Sequence, residues 1–391
     1  MPDGRETPTA RLIADLGEIG AEAWNALAGA ANPFLRHEFL RTLELSGSVG
    51  GETGWLPRHL VVEDVDGTPI GAVPLYVKAH SYGEYVFDHG WAEAWERAGG
   101  HYYPKLVAAV PFTPVPGPRI LVGPDEPDFV AARRQAVAET LIAAAQQLNV
   151  SSLHINFIEP EDRAALAECG CLLRLGYQFH WENRGYKSFE DFLGALSSRK
   201  RKAIRKERRA VAESGVRIRR LTGGDLKSEH WDTFYELYVE TGSRKWGWPY
   251  LTQEFFHRLG DAMADRVLLV LADLDGEPVG GALNLIGRDT LYGRNWGGSE
   301  AIPFLHFEAC YYQAIEFAIE RGLARVEAGA QGEHKIQRGY LPVETWSAHW
   351  IRDPGFRKAV GDFLRREAAA AKREIAALAT YGPYRQDDGD A

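Results

Sequence analysis

Glu327, Gln331, Glu333, His334, Lys335, Arg338 and Tyr340 fall within fourteen residues of one another, and Gly329 and Gly332 punctuate the run. These residue types suit a transfer that passes through an oxyanion. Glu327 or His334 can take a proton from a nucleophile, and Lys335 or Arg338 can balance the charge that develops on oxygen. The two glycines let backbone amides approach a reacting carbonyl. The same run also fits a polar loop entering a helix, with Glu333 as an anion at the helix start.

Weaker candidates surround this run. Arg294 and Trp296 close an apolar stretch that reads as a strand, and either flanks a substrate or makes a surface contact. His306 and Glu308 sit where a long apolar helix begins, so they are site residues or a helix start with a capping acid. Lys245 and Trp246 precede Gly247 and would stack on a base or close a loop. Earlier in the chain Tyr82, Tyr85, Asp88, Tyr102, Tyr103 and Lys105 form an aromatic and charged group, which suits a peptide-like or sugar-like acceptor or an aromatic core equally.

These residues require elements to position them, and the chain shows a weak internal copy of such elements. Asp64-Val-Asp-Gly-Thr-Pro-Ile-Gly-Ala72 returns as Asp273-Leu-Asp-Gly-Glu-Pro-Val-Gly-Gly281, with five of nine positions identical. Upstream, Pro33-Phe-Leu-Arg-His-Glu-Phe-Leu40 returns as Pro249-Tyr-Leu-Thr-Gln-Glu-Phe-Phe256 in the same order. Two stretches in register imply a duplicated domain, with Gly67 and Gly276 at equivalent turns. Domains are expected over 1–190 and 212–391, with 191–211 as a basic helical connector.

In the second copy the pattern predicts a strand at 216–221, helices near 231–238 and 252–263, and a three-strand meander through 267–296. A helix over 307–321 closed by Gly322 follows, then strands at 325–328 and 347–352. The first copy matches, with its meander in 60–87, its helix at 131–148 and strands near 153–158 and 172–181. A terminal helix over 355–378 is expected on the second domain.

The connector carries eight cations and one anion from Arg199 to Arg209, in a chain of 391 residues whose formal net charge is -9. Like charges at i, i+3 and i+4 without acidic partners repel one another unless an anion lies alongside. Lys200, Lys202, Arg205 and Arg209 are therefore candidate RNA-backbone contacts, against the alternative of a solvated linker. Three cysteines, Cys169, Cys171 and Cys310, lack the second pair of a zinc site, so reduced thiols and no metal are expected. With no leader-like start and no long apolar run, a cytoplasmic location without a membrane span is expected.

The order of elements is that of the GNAT acyltransferase fold. The chain also resembles the FemAB-like family in His80-Ser-Tyr-Gly-Glu-Tyr-Val-Phe-Asp88, Tyr102-Tyr-Pro-Lys-Leu106, Val110-Pro-Phe-Thr-Pro-Val115, Lys245-Trp-Gly247, Leu305-His-Phe-Glu308 and Glu327-Ala-Gly-Ala-Gln-Gly-Glu-His-Lys-Ile336. This resemblance covers nearly the whole chain. It implies an α/β chain (α+β, mixed sheets) of tandem duplicated GNAT-like (acyl-CoA N-acyltransferase) domains, and an aminoacyltransferase of peptidoglycan biosynthesis. Its co-substrate would be aminoacyl-tRNA and its acceptor a small or peptide-like amine, with no bound cofactor.

A glycine-rich pyrophosphate loop, the mark of an acetyl-CoA site, has no counterpart in either copy. Residues 299–306 hold Glu300, Pro303 and Phe304, and residues 123–128 hold Asp125, Glu126 and Asp128, where a dianion would sit. Two other classes stay open: a CoA-dependent N-acyltransferase with an unusual donor site, and a non-catalytic protein that recognises cell-wall fragments.

Overall fold

A computed structural model describes residues 8–245, 249–299, 301–329 and 332–385. Trp246 and Gln331 lie outside the described residues, as does the side chain of Lys245.

In chain order the elements are β1 (Thr9–Ile13), α1 (Ala21–Ala28), α2 (His37–Leu45), β2 (Trp55–Pro57), β3 (His59–Glu63), β4 (Pro69–Val73), β5 (Leu75–Lys78), α3 (His89–Arg97), β6 (Lys105–Ala108), α4 (Pro127–Gln147), β7 (Ser152–Ile158), α5 (Pro160–Glu168) and β8 (Leu172–Glu182). Then come α6 (Phe189–Ala195), α7 (Ser198–Glu213), β9 (Arg217–Leu221), α8 (Ser228–Lys245), α9 (Gln253–Met263), β10 (Val267–Leu274), β11 (Glu277–Ile286) and β12 (Thr290–Gly298). A continuous helical run of α10 (Leu305–Phe307), a π-helical turn (Glu308–Tyr312) and α11 (Gln313–Glu320) leads to β13 (Arg325–Glu327), a 3-10 turn (Glu333–Arg338), β14 (Leu341–Ile351) and α12 (Pro354–Thr380).

The two compact units are not delimited at 190 and 212. One comprises residues 1–176 and 344–372, the other 177–343 and 373–391, so the divisions fall inside β8, β14 and α12. In the first unit β1, β3 and β4 form a small antiparallel sheet, while β2-β5-β6-β7 and the C-terminal half of β14 form the main one. Val137, Leu141 and Ala145 of α4 bury against Leu106, Leu153 and Ile155 of that sheet. In the second unit the order is β9-β10-β11-β12-β13, followed by the C-terminal half of β8. The strand beside β13 thus comes from the earlier copy, a swap that periodicity cannot reveal because β8 reads the same whichever neighbour it has.

The duplicated words do occupy equivalent places. Gly67 and Gly276 both take left-handed backbone (φ 79° and 89°) in the tight turns of the β3–β4 and β10–β11 hairpins. Each hairpin carries a bulge just before its turn, between Val62 and Glu63 and between Ala272 and Asp273.

The basic stretch is no free connector. Phe189, Phe192 and Leu193 of α6, with Leu196 and Ile204, enter the second unit's core beside Tyr312, Ile315 and Val326. Nor is the run without acidic partners: Arg205 meets Glu190, and Arg208 meets Glu308 and Glu316. The terminal helix does not rest on the second unit alone. Its Val360 and Leu364 pack with Trp91 and Tyr102 in the first unit, and Leu378 joins the core of the second.

Candidate functional site

β12 and β13 run parallel for only three pairs, from Thr290↔Arg325 to Tyr292↔Glu327. Past Glu327 the strands part, while β12 continues to Gly298. The register between β11 and β12 pairs Asn284 with Gly293 and Leu283 with Asn295, which makes Arg294 the extra residue of a bulge. Bulges re-aim side chains and increase local twist, so Arg294 is turned where the strands separate. Gly293 keeps this approach open, since a Cβ there would stand 3.3 Å from the Glu327 carbonyl oxygen, a tight contact.

This opening holds a cavity of about 80 Å³ lined by Ala282, Leu283, Asn284, Gly293, Arg294, Asn295, Trp296, His306, Cys310, Tyr311 and Ala328. Arg294, Trp296 and His306 were expected from the sequence. Cys310, Tyr311, Asn284 and Asn295 were not, because an apolar helix and an alternating strand give no mark of which members face a cavity. The helix is also not the regular α-helix expected: its π-helical turn carries Cys310 and Tyr311, and such turns recur at functional sites.

His334, exposed, and Lys335, buried, adjoin this lining. His334 Nε2 and the Tyr311 hydroxyl are 2.9 Å apart. Burial, then the Lys335 and Arg338 cations, hold the His334 pKa below its ordinary value, so the ring is neutral at neutral pH and able to accept a proton. Lys335, 3% exposed, donates to the carbonyls of Ala328 (2.6 Å) and Gly329 (3.1 Å). Burial pushes its pKa down to about 8, partly offset by the nearby Cys310. An ammonium has three N–H bonds, and among the described residues these two carbonyls take two of them, so the third can meet an incoming anion.

Glu327 is buried at the end of β13, its Oε2 3.9 Å from His180 Nε2. Burial, then Arg325 and Lys335, lower the His180 pKa to about 3, so a neutral ring stands beside the carboxylate. The structure therefore gathers Glu327, His334 and Lys335 around Ala328, with Lys335 and His334 hydrogen-bonded to groups that line the cavity.

Other expected residues have structural surroundings. Arg338 is buried, with its Nη2 bonded to both Glu207 oxygens at 2.9 Å and its guanidinium 3.4 Å over the Phe307 ring. Glu308 is buried and takes bonds from Arg208 and Gln313. Tyr340 lies in the core against Tyr311, and Glu333 is exposed.

In the first unit Tyr82 is exposed, whereas Asp88 and Lys105 are buried members of an ion network. Lys105 Nζ donates to Asp88 (2.5 Å), Glu84 (2.9 Å) and Ser81 (2.8 Å), and the Tyr102 hydroxyl donates to Asp88 (2.6 Å). The Lys105 cation holds the Asp88 carboxyl well below its usual range despite burial, which acts the other way. Replacing Lys105 by Met should cost the first unit about 3–5 kcal/mol, because two buried carboxylates lose the cation bonded to both. Urea unfolding monitored at neutral pH checks this, and a midpoint like that of the wild type would show that the network is not what it looks to be.

Among the described residues no group of three or more His, Cys, Asp or Glu could hold a metal ion, and no helix is long and apolar enough to cross a membrane.

Similarities to known proteins bear on this geometry. The fold matches the structure of FemX with a TM-score of 0.55 at 13% identity, over 90% of this chain and 100% of that one. It matches L-PGS from Bacillus licheniformis at 0.54 and 12%, over 93% and 99% of the two chains. The C-terminal domain of a putative lysylphosphatidylglycerol synthetase from Agrobacterium fabrum matches at 0.54 and 9%, over 88% and 96%. No curated protein matches the chain. The FemAB-like family, described as peptidoglycan biosynthesis/recognition, matches over residues 15–386. With that match across almost its whole length and its tandem GNAT-like fold, the chain belongs to the FemAB-like family.

Proposed function

We propose that the protein is an aminoacyltransferase that moves an aminoacyl group from aminoacyl-tRNA to an amine of a cell-wall precursor or another small acceptor. The observation that carries this reading is the buried Lys335 ammonium bonded to the Ala328 carbonyl at the wall of the cavity. In the reaction the amine nitrogen attacks the ester carbonyl, a C–N bond forms, and the C–O bond to the ribose breaks. His334 or Glu327 takes the amine proton, and the ribose hydroxyl leaves protonated. The spare N–H of Lys335 faces the developing oxyanion, and Arg294, Trp296 and His306 hold the acyl group. Residues 299–306 contain no glycine and hold Glu300, Pro303 and Phe304 where a pyrophosphate cradle would need small residues, which favours a donor other than acetyl-CoA.

The tRNA docks on the outer face of α7 in this reading. Lys202, Arg205, Lys206 and Arg209 are exposed and Lys200 is half-buried, while Ile204 and Val211 point into the protein. Replacing Lys200, Lys202, Arg205 and Arg209 by Ala should weaken tRNA binding and flatten its salt dependence by about 0.7–0.9 in log–log slope per lost phosphate contact. Stability should change little, as exposed charges contribute little. Binding titrations at several salt concentrations test the docking face, and an unchanged slope would return α7 to a solvated helix. The reading as a whole is tested by incubating the protein with charged tRNAs or acetyl-CoA and candidate amines. Amide formation from a charged tRNA is expected, and product from acetyl-CoA alone would overturn the donor.

A further inference from the structure

Glu207 is the one anion in the basic run, and with Arg208 it points inward from α7. The pair grips both ends of the π-helical turn. Arg208 donates to Glu308, its first residue, at 3.0 and 3.2 Å, and Tyr312, its last, donates its hydroxyl proton to Glu207. Between these ends lie Cys310 and Tyr311, which line the cavity. Glu207 also binds Arg338, whose Nη1 donates to the His334 carbonyl at 2.8 Å. One carboxylate therefore reaches the turn that forms a cavity wall and the turn that carries His334 and Lys335.

A π-helical turn holds one residue more than an α-turn between its bonded levels and is rare without outside support. Charge-assisted Arg–carboxylate bonds at partly buried positions supply such support with defined geometry. We infer that Glu207 and Arg208 are positioning residues for the transfer: together they hold Glu308–Tyr312 in π register and set Tyr311, His334 and Lys335 around the cavity. The inference deepens the aminoacyl-transfer reading and rests on it for its kinetic arm. It divides α7 into two separable faces, an outer one of cations and an inner one that shapes the site.

The test uses the full chain with Glu207→Gln, Arg208→Gln and Arg208→Lys, and a control in which Lys202, Lys206 and Arg209 become Ala. Alkylation of Cys310 by iodoacetamide, followed by mass spectrometry of its peptide, reads the turn without substrate. Loosening the turn should accelerate alkylation by about threefold or more in Glu207→Gln and Arg208→Gln, as local opening exposes the thiol. Arg208→Lys should fall between them and the wild type, and the control should match the wild type in alkylation, a readout that involves no tRNA. Displaced by a fraction of an ångström, the site should lose roughly 10- to 100-fold in kcat with donor KM nearly unchanged. Should Glu207→Gln fail to fold by circular dichroism, Arg208→Lys, which keeps its charge, carries the test. Wild-type alkylation and kcat in the folded variants overturn the inference, as does acceleration in the control. If the wild type transfers nothing from any charged tRNA, the transfer reading fails, and the Cys310 comparison still decides whether the pair holds the turn.

Discussion

Lys335→Ala should lower turnover by ~10² to 10³ while leaving tRNA affinity almost intact, because an oxyanion contact is made mainly in the transition state. Lys335 suits that role through its position: it is 3% exposed and braced by two carbonyls, which among the described residues take two of its three N–H bonds. With a pKa of about 8, the ammonium is the main form below that pH and is lost above it. Since the charged form is the one that stabilises the oxyanion, activity should fall as pH rises through about 8. Lys335→Arg keeps the charge and should remove this falling limb even if turnover drops, since guanidinium does not titrate there. Rapid-quench measurement of single turnovers, beside filter binding of tRNA, separates chemistry from binding. A Lys335→Ala variant that transfers at near wild-type rate would sink the assignment, and so would a limb that persists unchanged in Lys335→Arg.

Glu327→Gln is expected to cost ~10² or more in kcat with a changed acid limb, because the amide keeps the shape and loses the base. The carboxylate ends β13 where the sheet opens, beside a His180 ring that burial keeps neutral and that cannot cancel its charge. His334→Ala discriminates between the two bases: a mild loss assigns the proton to Glu327, and a severe one assigns it to His334. If all three variants transfer normally while substitutions of Asp88 and Lys105 abolish transfer in a folded protein, the chemistry belongs to the first unit instead.

The reading of residues and the folded chain divide the explanation in a physically sensible way. Hairpin turns were legible because Asp-Gly and a following Pro act locally: left-handed backbone at Gly67 and Gly276 needs no tertiary partner. The run from Glu327 to Tyr340 stood out for a similar reason, since titratable groups and glycines crowded together are visible without a fold. Which of them serve the cavity was decided by packing. Arg338 and Glu308 looked like ligands' partners by type, yet they face residues of α7 that are 131 and 100 positions away, a pairing that no spacing encodes.

The same holds for the two units. Element order and the duplication are properties of local pattern, so the GNAT-like class followed from the chain itself. The swap of β8, the sharing of α12 and the π-helical turn that presents Cys310 and Tyr311 are non-local outcomes. A strand's alternation specifies which face is buried but not its neighbour, and a helix's apolar stripe does not reveal where its register slips. Residue types and order thus determined the fold class and singled out a run of residues that adjoins the cavity. The tertiary structure alone decided which side chains surround the cavity, because only long-range contacts bring β12, β13, the π-helical turn and α7 together.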